Sequence, residues 1–241
     1  PAVAIYSTFM QRAYDQIVHD VCLQNLNVNF FLDRGGLVGE DGATHHGAFD
    51  MSYLRHIPNL VVMAPKDEAE LARMMVTAFD YDGPCSVRYP RGTGVGAKVS
   101  ATPEIIAIGR GELMRDGEDA LIITIGSRVY PAVEAAMELI EDGLRVAVFN
   151  ARFVKPLPKE QLLELAGRFD RILLVEENAL AGGFCSAVLE LFTEQGVMDG
   201  KRIKQLGLPD EFVEHGSQKE LRQMLGLDKD GIKRTLRTFY G

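Results

Sequence analysis

The chain has 241 residues, 46% of them hydrophobic and 25% charged, a globular composition that argues against a disordered, collagen-like or membrane-spanning protein. Its net charge of −8, from 26 Lys and Arg against 34 Asp and Glu, comes without any block of like charges, which argues against an electrostatic nucleic-acid binder. The three cysteines (Cys22, Cys85 and Cys185) are an odd number without C-x-x-C spacing, so neither a disulfide framework nor a zinc site is expected and a reducing compartment fits.

The chain opens at Pro1 and runs at once into Ala2 to Tyr6, an apolar strand-like segment; we expect a piece of a longer protein. Val28 to Asp33, Leu60 to Ala64 and Ser86 to Tyr89 read as further buried strands, being short, apolar and bounded by turn residues. Between them, Thr8 to Leu26 places Phe9, Ala13, Ile17 and Val21 at three- and four-residue spacing, which predicts a helix. Asp67 to Phe79 predicts another, with Pro65 and Asp67 as its start signal. Strands separated by helices pair in parallel and place ligands at their carboxyl ends.

From Tyr89 to Asp119 the pattern weakens into Gly, Pro and mixed polar residues, and the inter-domain connection is expected there. A second series follows, with strands at Ala120 to Ile125, Arg145 to Phe149, Ile172 to Val175 and Ile203 to Gln205. Helices are expected at Tyr130 to Glu141, Lys159 to Ala166, Gly183 to Glu194 and Ser217 to Leu225, with Gly143 as a C-cap. The fold class is therefore α/β, with two domains, 1–108 and 109–241, each a mainly parallel sheet flanked by helices.

Three polar clusters sit at expected strand ends. Residues 33–47 include five glycines together with Arg34, Asp41, His45 and His46; so long a loop is costly to order without a task, although a solvated loop remains the alternative. Adjacent histidines rarely point at one ion, so no metal is assigned to His45 and His46, and proton transfer beside Asp41 is the better use. The second cluster, Ser86 to Gly92, carries Arg91. Arg91 and Arg34 converging on one pocket would suit a phosphate or carboxylate, the alternative being two surface ion pairs. Gly92, Gly94 and Gly96 imitate a dinucleotide fingerprint but open no helix, so we read that match as false. In the third cluster Tyr6 and Phe9 form an aromatic wall or simply core. His19, His56 and His215 read as packing or surface residues.

Several segments together resemble the 1-deoxy-D-xylulose-5-phosphate synthases, thiamine-diphosphate enzymes of the transketolase superfamily: IYSTFMQRAYDQ at 5–16, Asp33-Arg34, GEDGATHHGAFD at 39–50, RYPRG at 88–92, RFVKP at 152–156, VEEN at 175–178 and GLPD at 207–210. The 39–50 piece is shared across the superfamily, while the 5–16 and 88–92 pieces narrow it. Asn150 departs from the pattern, standing where an acidic residue is common.

The resemblance implies a central pyrimidine-binding domain followed by a carboxyl-terminal domain. The amino-terminal domain, which in the family holds Mg2+ and the cofactor diphosphate, is missing from this sequence, so the chain alone would be inactive. It implies condensation of pyruvate with D-glyceraldehyde 3-phosphate to 1-deoxy-D-xylulose 5-phosphate and CO2, early in non-mevalonate isoprenoid synthesis. Phe9 and Arg12 match the positions at the cofactor's aminopyrimidine. Tyr6, Arg34 and Arg91 match those that grip the acceptor phosphate. Asp41 and His45 match those that handle the acceptor hydroxyls, the pyruvate-derived intermediate and proton transfer. A homodimer in a bacterial cytoplasm or a plastid is implied, with the missing amino-terminal part as partner and no nucleic acid or membrane. The alternatives are a non-catalytic assembly fragment or another ketol transferase of the superfamily.

Overall fold

Apolar, β-branched and aromatic runs form the strands, and the segments between them return the chain so that successive strands point the same way. In the computed structural model, which describes residues 1–240, β1 (Ala2–Tyr6), β2 (Asn29–Asp33), β3 (Val61–Met63) and β4 (Cys85–Arg88) pair in parallel in the order β1-β2-β4-β3. Tyr6 lies opposite Asp33 and Leu32 opposite Arg88. That register levels the carboxyl ends of β1, β2 and β4, so the segments bearing Tyr6, Arg34 and Arg91 leave the sheet along one edge.

The second half builds a sheet of the same kind. β6 (Ala120–Thr124), β7 (Val146–Asn150), β9 (Arg171–Ala179) and β10 (Arg202–Leu208) are parallel in the order β10-β9-β6-β7. Every residue of β6 and β7 is buried, as expected for strands covered on both faces. The two halves share a core: one apolar cluster joins Phe30, Leu32 and Met51 to Ile123, Phe149 and Phe184, each such buried side chain contributing roughly 1.5–3 kcal/mol.

Two strands depart from the expected pattern. β5 (Glu112–Arg115) runs antiparallel on β7, inside the stretch expected to be connection. β8 (Phe153–Lys155), from the second half, adds antiparallel to β3 of the first sheet. Both are too short to show a period, and each is held by a partner distant in sequence. The helix expected over Thr8 to Leu26 is a helical run of changing pitch: α1 (Ser7–Met10), a 3-10 turn at Gln11–Ala13, α2 (Tyr14–Gln16) and a π-helical stretch at Ile17–Cys22. Asn25, at φ 50°, takes the left-handed conformation that ends such a run.

The remaining helices are α3 (Asp50–Leu54), α4 (Glu68–Asp80), α5 (Val129–Glu138), α6 (Lys159–Arg168), α7 (Phe184–Glu194), α8 (Gln218–Met224) and α9 (Lys229–Tyr240). Asp67 caps α4 by accepting from the Glu70 amide at 2.7 Å, and Ser217 and Glu220 form a capping box on α8. The 3-10 turn that follows α5 ends on Gly143, at φ 78°. α3 and α9 are not among the expected helices; Asp228 caps α9 by accepting from the Gly231 amide at 2.8 Å, and Ile232 and Leu236 of α9 are buried in the core of the second half. Between the sheets, Arg152 donates to Glu70 at 2.6 Å and to Glu112 at 2.7 Å. Asn150, the departure noted above, donates to both Glu70 oxygens at 3.2 Å, where a second carboxylate would repel. Among the described residues no helix is long and apolar enough to cross a membrane.

Candidate active site

At the shared carboxyl edge, Tyr6 ends β1 and Phe9 lies one helical turn later. Their rings stack at 5.3 Å with an interplanar angle of 28°. The Arg34 guanidinium lies over the other aromatic neighbour, with its Cζ 4.1 Å from the Tyr6 centroid, a cation–π distance. Arg12 sits 5.7 Å from the Phe9 ring, and the His45 ring meets Phe9 edge-on at 5.6 Å. Phe9 is 38% exposed, so the ring is an open surface and not core.

Arg34 has φ 61°, a conformation that costs a non-glycine residue energy and recurs at functional sites. Its amide donates to Asp33 Oδ1 at 2.6 Å. The loop that follows is closed at its neck by paired Gly36 and Gly47 backbone hydrogen bonds of 2.8 Å. A Cβ on Gly47 would strike the Arg34 carbonyl and Ser7, and Gly36 has φ 80° with Glu177 against it; neither position admits a side chain without displacement.

Inside this loop Asp41 Oδ2 accepts from Arg34 Nη1 at 2.8 Å and lies 3.6 Å from Arg91 Nη1. The two arginines therefore converge, on a carboxylate of the chain itself. Arg91 Nη1 also donates to the Val38 carbonyl at 3.2 Å. His45 shares a 2.9 Å hydrogen bond through Nδ1 with Thr44 Oγ1. Asp33, Arg34, Tyr89 and Arg91 line a cleft of about 370 Å³. Thr8, Arg12, Thr44 and Phe49 line another of about 420 Å³. Tyr6, Phe9, Arg12, Arg34, Asp41, His45 and Arg91 thus form one continuous patch.

His46 is different. It is buried; Nδ1 accepts from the Val38 amide at 3.0 Å and Nε2 faces the Glu214 carbonyl at 3.4 Å. Burial pulls its pKa below the usual histidine value, so it holds the loop as a neutral ring. The glycines at 92, 94 and 96 open no helix; the amides of Val95, Gly96 and Ala97 donate to the Glu68 carboxylate at 2.7–3.1 Å. Among the described residues no group of three or more His, Cys, Asp and Glu is placed to hold a metal ion.

The structure adds supporting residues that sequence reasoning missed. Arg88 is buried and donates through Nε to both Asp50 oxygens at 3.0 Å, and through Nη2 to the Gly47 and Glu177 carbonyls. Glu177 is also buried, accepting from Leu37 N and Ser127 Oγ at 3.0 Å and pairing with Arg128 at 2.7 Å and Arg222 at 3.0 Å. Burial alone would raise its pKa, but Arg128 and Arg222 hold it down, at about 2. The signal for Arg88 was its place in a strand buried throughout, where a cation requires a partner.

The family described as "Transketolase, pyrimidine binding domain" matches residues 1–94, and "Transketolase, C-terminal domain" matches residues 109–232. A protein named 1-deoxy-D-xylulose-5-phosphate synthase from Oleidesulfovibrio alaskensis is 60% identical over 242 residues, covering 100% of this chain and 38% of that protein. One named 1-deoxy-D-xylulose-5-phosphate synthase 1 from Geobacter metallireducens is 55% identical over 239 residues, covering 99% of this chain and 38% of its own length. The chain thus spans about 38% of the relatives it matches. A solved structure titled "Split gene transketolase, inactive beta4 tetramer" superposes with a TM-score of 0.86 at 26% identity, covering 100% of this chain and 76% of that one.

Proposed function

We propose that this chain, which belongs to the transketolase family, is the acceptor-binding and pyrimidine-binding part of a 1-deoxy-D-xylulose-5-phosphate synthase. The reaction is decarboxylative condensation of pyruvate with D-glyceraldehyde 3-phosphate. The observation that carries this reading is the meeting of Arg34 and Arg91 on one carboxylate oxygen beside the Tyr6, Phe9 and His45 rings. Two planar forks aimed at one point suit a dianionic phosphate better than any neutral group. The relatives at 55–60% identity carry the synthase name, which favours it over another ketol transferase of the superfamily.

The chain's residues fit one end of thiamine diphosphate. The open Phe9 ring, with Arg12 beside it, offers a stacking surface for the aminopyrimidine. The diphosphate and Mg2+ would be held by residues of the amino-terminal part, as the family resemblance implies. When bound, the cofactor supplies a thiazolium electron sink for loss of CO2.

The work of this chain is then binding, orientation and proton transfer. Arg34 and Arg91 seize the acceptor phosphate and fix its aldehyde end near His45. Thr44 engages His45 Nδ1, leaving Nε2 for proton exchange with the acceptor oxygen. Asp41, released from the arginines, holds an acceptor hydroxyl. Tyr6 backs Arg34 and prevents it from swinging away. A homodimer in a bacterial cytoplasm completes the proposal.

The test is reconstitution. Combined with the amino-terminal part of a synthase, the chain should restore CO2 release that requires thiamine diphosphate, pyruvate and glyceraldehyde 3-phosphate together. Folded halves that associate and release no CO2 contradict the reading.

A further inference from the structure

The loop bearing Asp41 and the segment bearing Arg91 are gripped by one side chain from the second half. Gln218 Nε2 donates to the Leu37 carbonyl at 2.6 Å and to the Arg91 carbonyl at 3.2 Å. Gln218 is the first residue of α8, and its place is fixed by the Ser217–Glu220 capping box immediately around it. Leu37 is fully buried in the core cluster of the second half, and its amide is held by Glu177 at 3.0 Å. Both polar groups of the Leu37 backbone therefore bond to residues of the second half. The loop is seated again where the Gly216 amide meets the Gly39 carbonyl at 3.4 Å and where His46 faces Glu214. Of these contacts, only the Gln218 amide touches both arms of the anion site.

We infer that Gln218 is a positioning residue for the acceptor phosphate: it sets the separation between the Asp41 loop and Arg91, and through them the gap between the two guanidinium groups. The inference rests on the proposed synthase reading and deepens it. A carboxamide can give both hydrogens of one nitrogen to two carbonyl oxygens. A carboxylate of the same shape has no hydrogen to give and would repel both. An apolar side chain would leave two carbonyls without this donor. Gln218 bonds to the backbone of the two arms and not to a side chain of the site. Its loss should therefore act first on binding of the phosphorylated acceptor, whose phosphate needs both arginines, and far less on binding of pyruvate.

The experiment compares wild type, Gln218→Glu and Gln218→Met in the full-length enzyme, with KM and kcat measured for each substrate and thermal midpoints recorded. Two lost hydrogen bonds predict a rise of about tenfold in KM for glyceraldehyde 3-phosphate in both variants. KM for pyruvate should stay within about twofold, because the two carbonyls that Gln218 holds belong to the arms carrying the phosphate-gripping arginines. The isosteric Glu variant guards against an effect of lost volume alone. An unchanged acceptor KM in both variants overturns the inference, and so does equal loss for the two substrates, which marks a merely structural role. Failure of the wild-type enzyme to use glyceraldehyde 3-phosphate would instead overturn the underlying reading, and is distinguishable for that reason.

Discussion

Arg34 and Asp41, seven positions apart in one loop, are joined by a 2.8 Å ion pair whose carboxylate oxygen lies 3.6 Å from Arg91. The side chains of Arg34, Asp41 and Arg91 are 20%, 40% and 43% exposed, so these pairs are weak, contributing of order 0.2–1 kcal/mol each. An incoming dianion can displace Asp41 at little cost. Asp41→Asn in the full-length enzyme should therefore strengthen inhibition by inorganic phosphate against glyceraldehyde 3-phosphate by about two- to fivefold, while turnover falls. An unchanged inhibition constant would mean that Asp41 does not compete for the arginines.

Glu177 predicts a stability effect. It is buried between Arg128 and Arg222 and accepts from the Leu37 amide. Glu177→Ala leaves two cations without their carboxylate and should destabilise the chain by about 3–5 kcal/mol. Denaturant unfolding measures this. A loss below about 1 kcal/mol would show that solvent reaches the arginines.

The neighbouring Glu176 predicts a pH dependence of stability. Burial raises its pKa from 4.5 to about 7, although the Phe184 and Cys185 amides donate to it. The folded state holds the extra proton between these values, so this residue's contribution is fully present below pH 4.5 and lost as pH rises through 7. The difference in stability between wild type and Glu176→Gln should shift by a few kcal/mol over that window. A difference that does not change with pH would place the titration elsewhere.

What the sequence made legible was local. Tyr6, Arg34 and Arg91 could be assigned to one edge because each ends or follows a short apolar strand, while Arg12 was legible only through the family resemblance. His46 misled because a side chain's direction cannot be read from its neighbour: one histidine faces Phe9 while the next is buried against Val38 and Glu214. Gln218 was invisible for a different reason, since its hydrogen bond to Leu37 spans 181 positions. β8 is likewise a three-residue strand whose place exists only because β3 offers an edge. Period and turn chemistry report neighbours along the chain, while the second half's grip on the site depends on how the two sheets share a core.

The central claim is that Arg34 and Arg91 are the phosphate grip. It is tested most directly by Arg91→Ala in the full-length enzyme, with KM measured separately for the two substrates. Loss of one charge-assisted contact predicts a rise of about 10- to 100-fold for glyceraldehyde 3-phosphate and a change within about twofold for pyruvate. Equal loss for both substrates, or none for the phosphorylated one, would contradict the account.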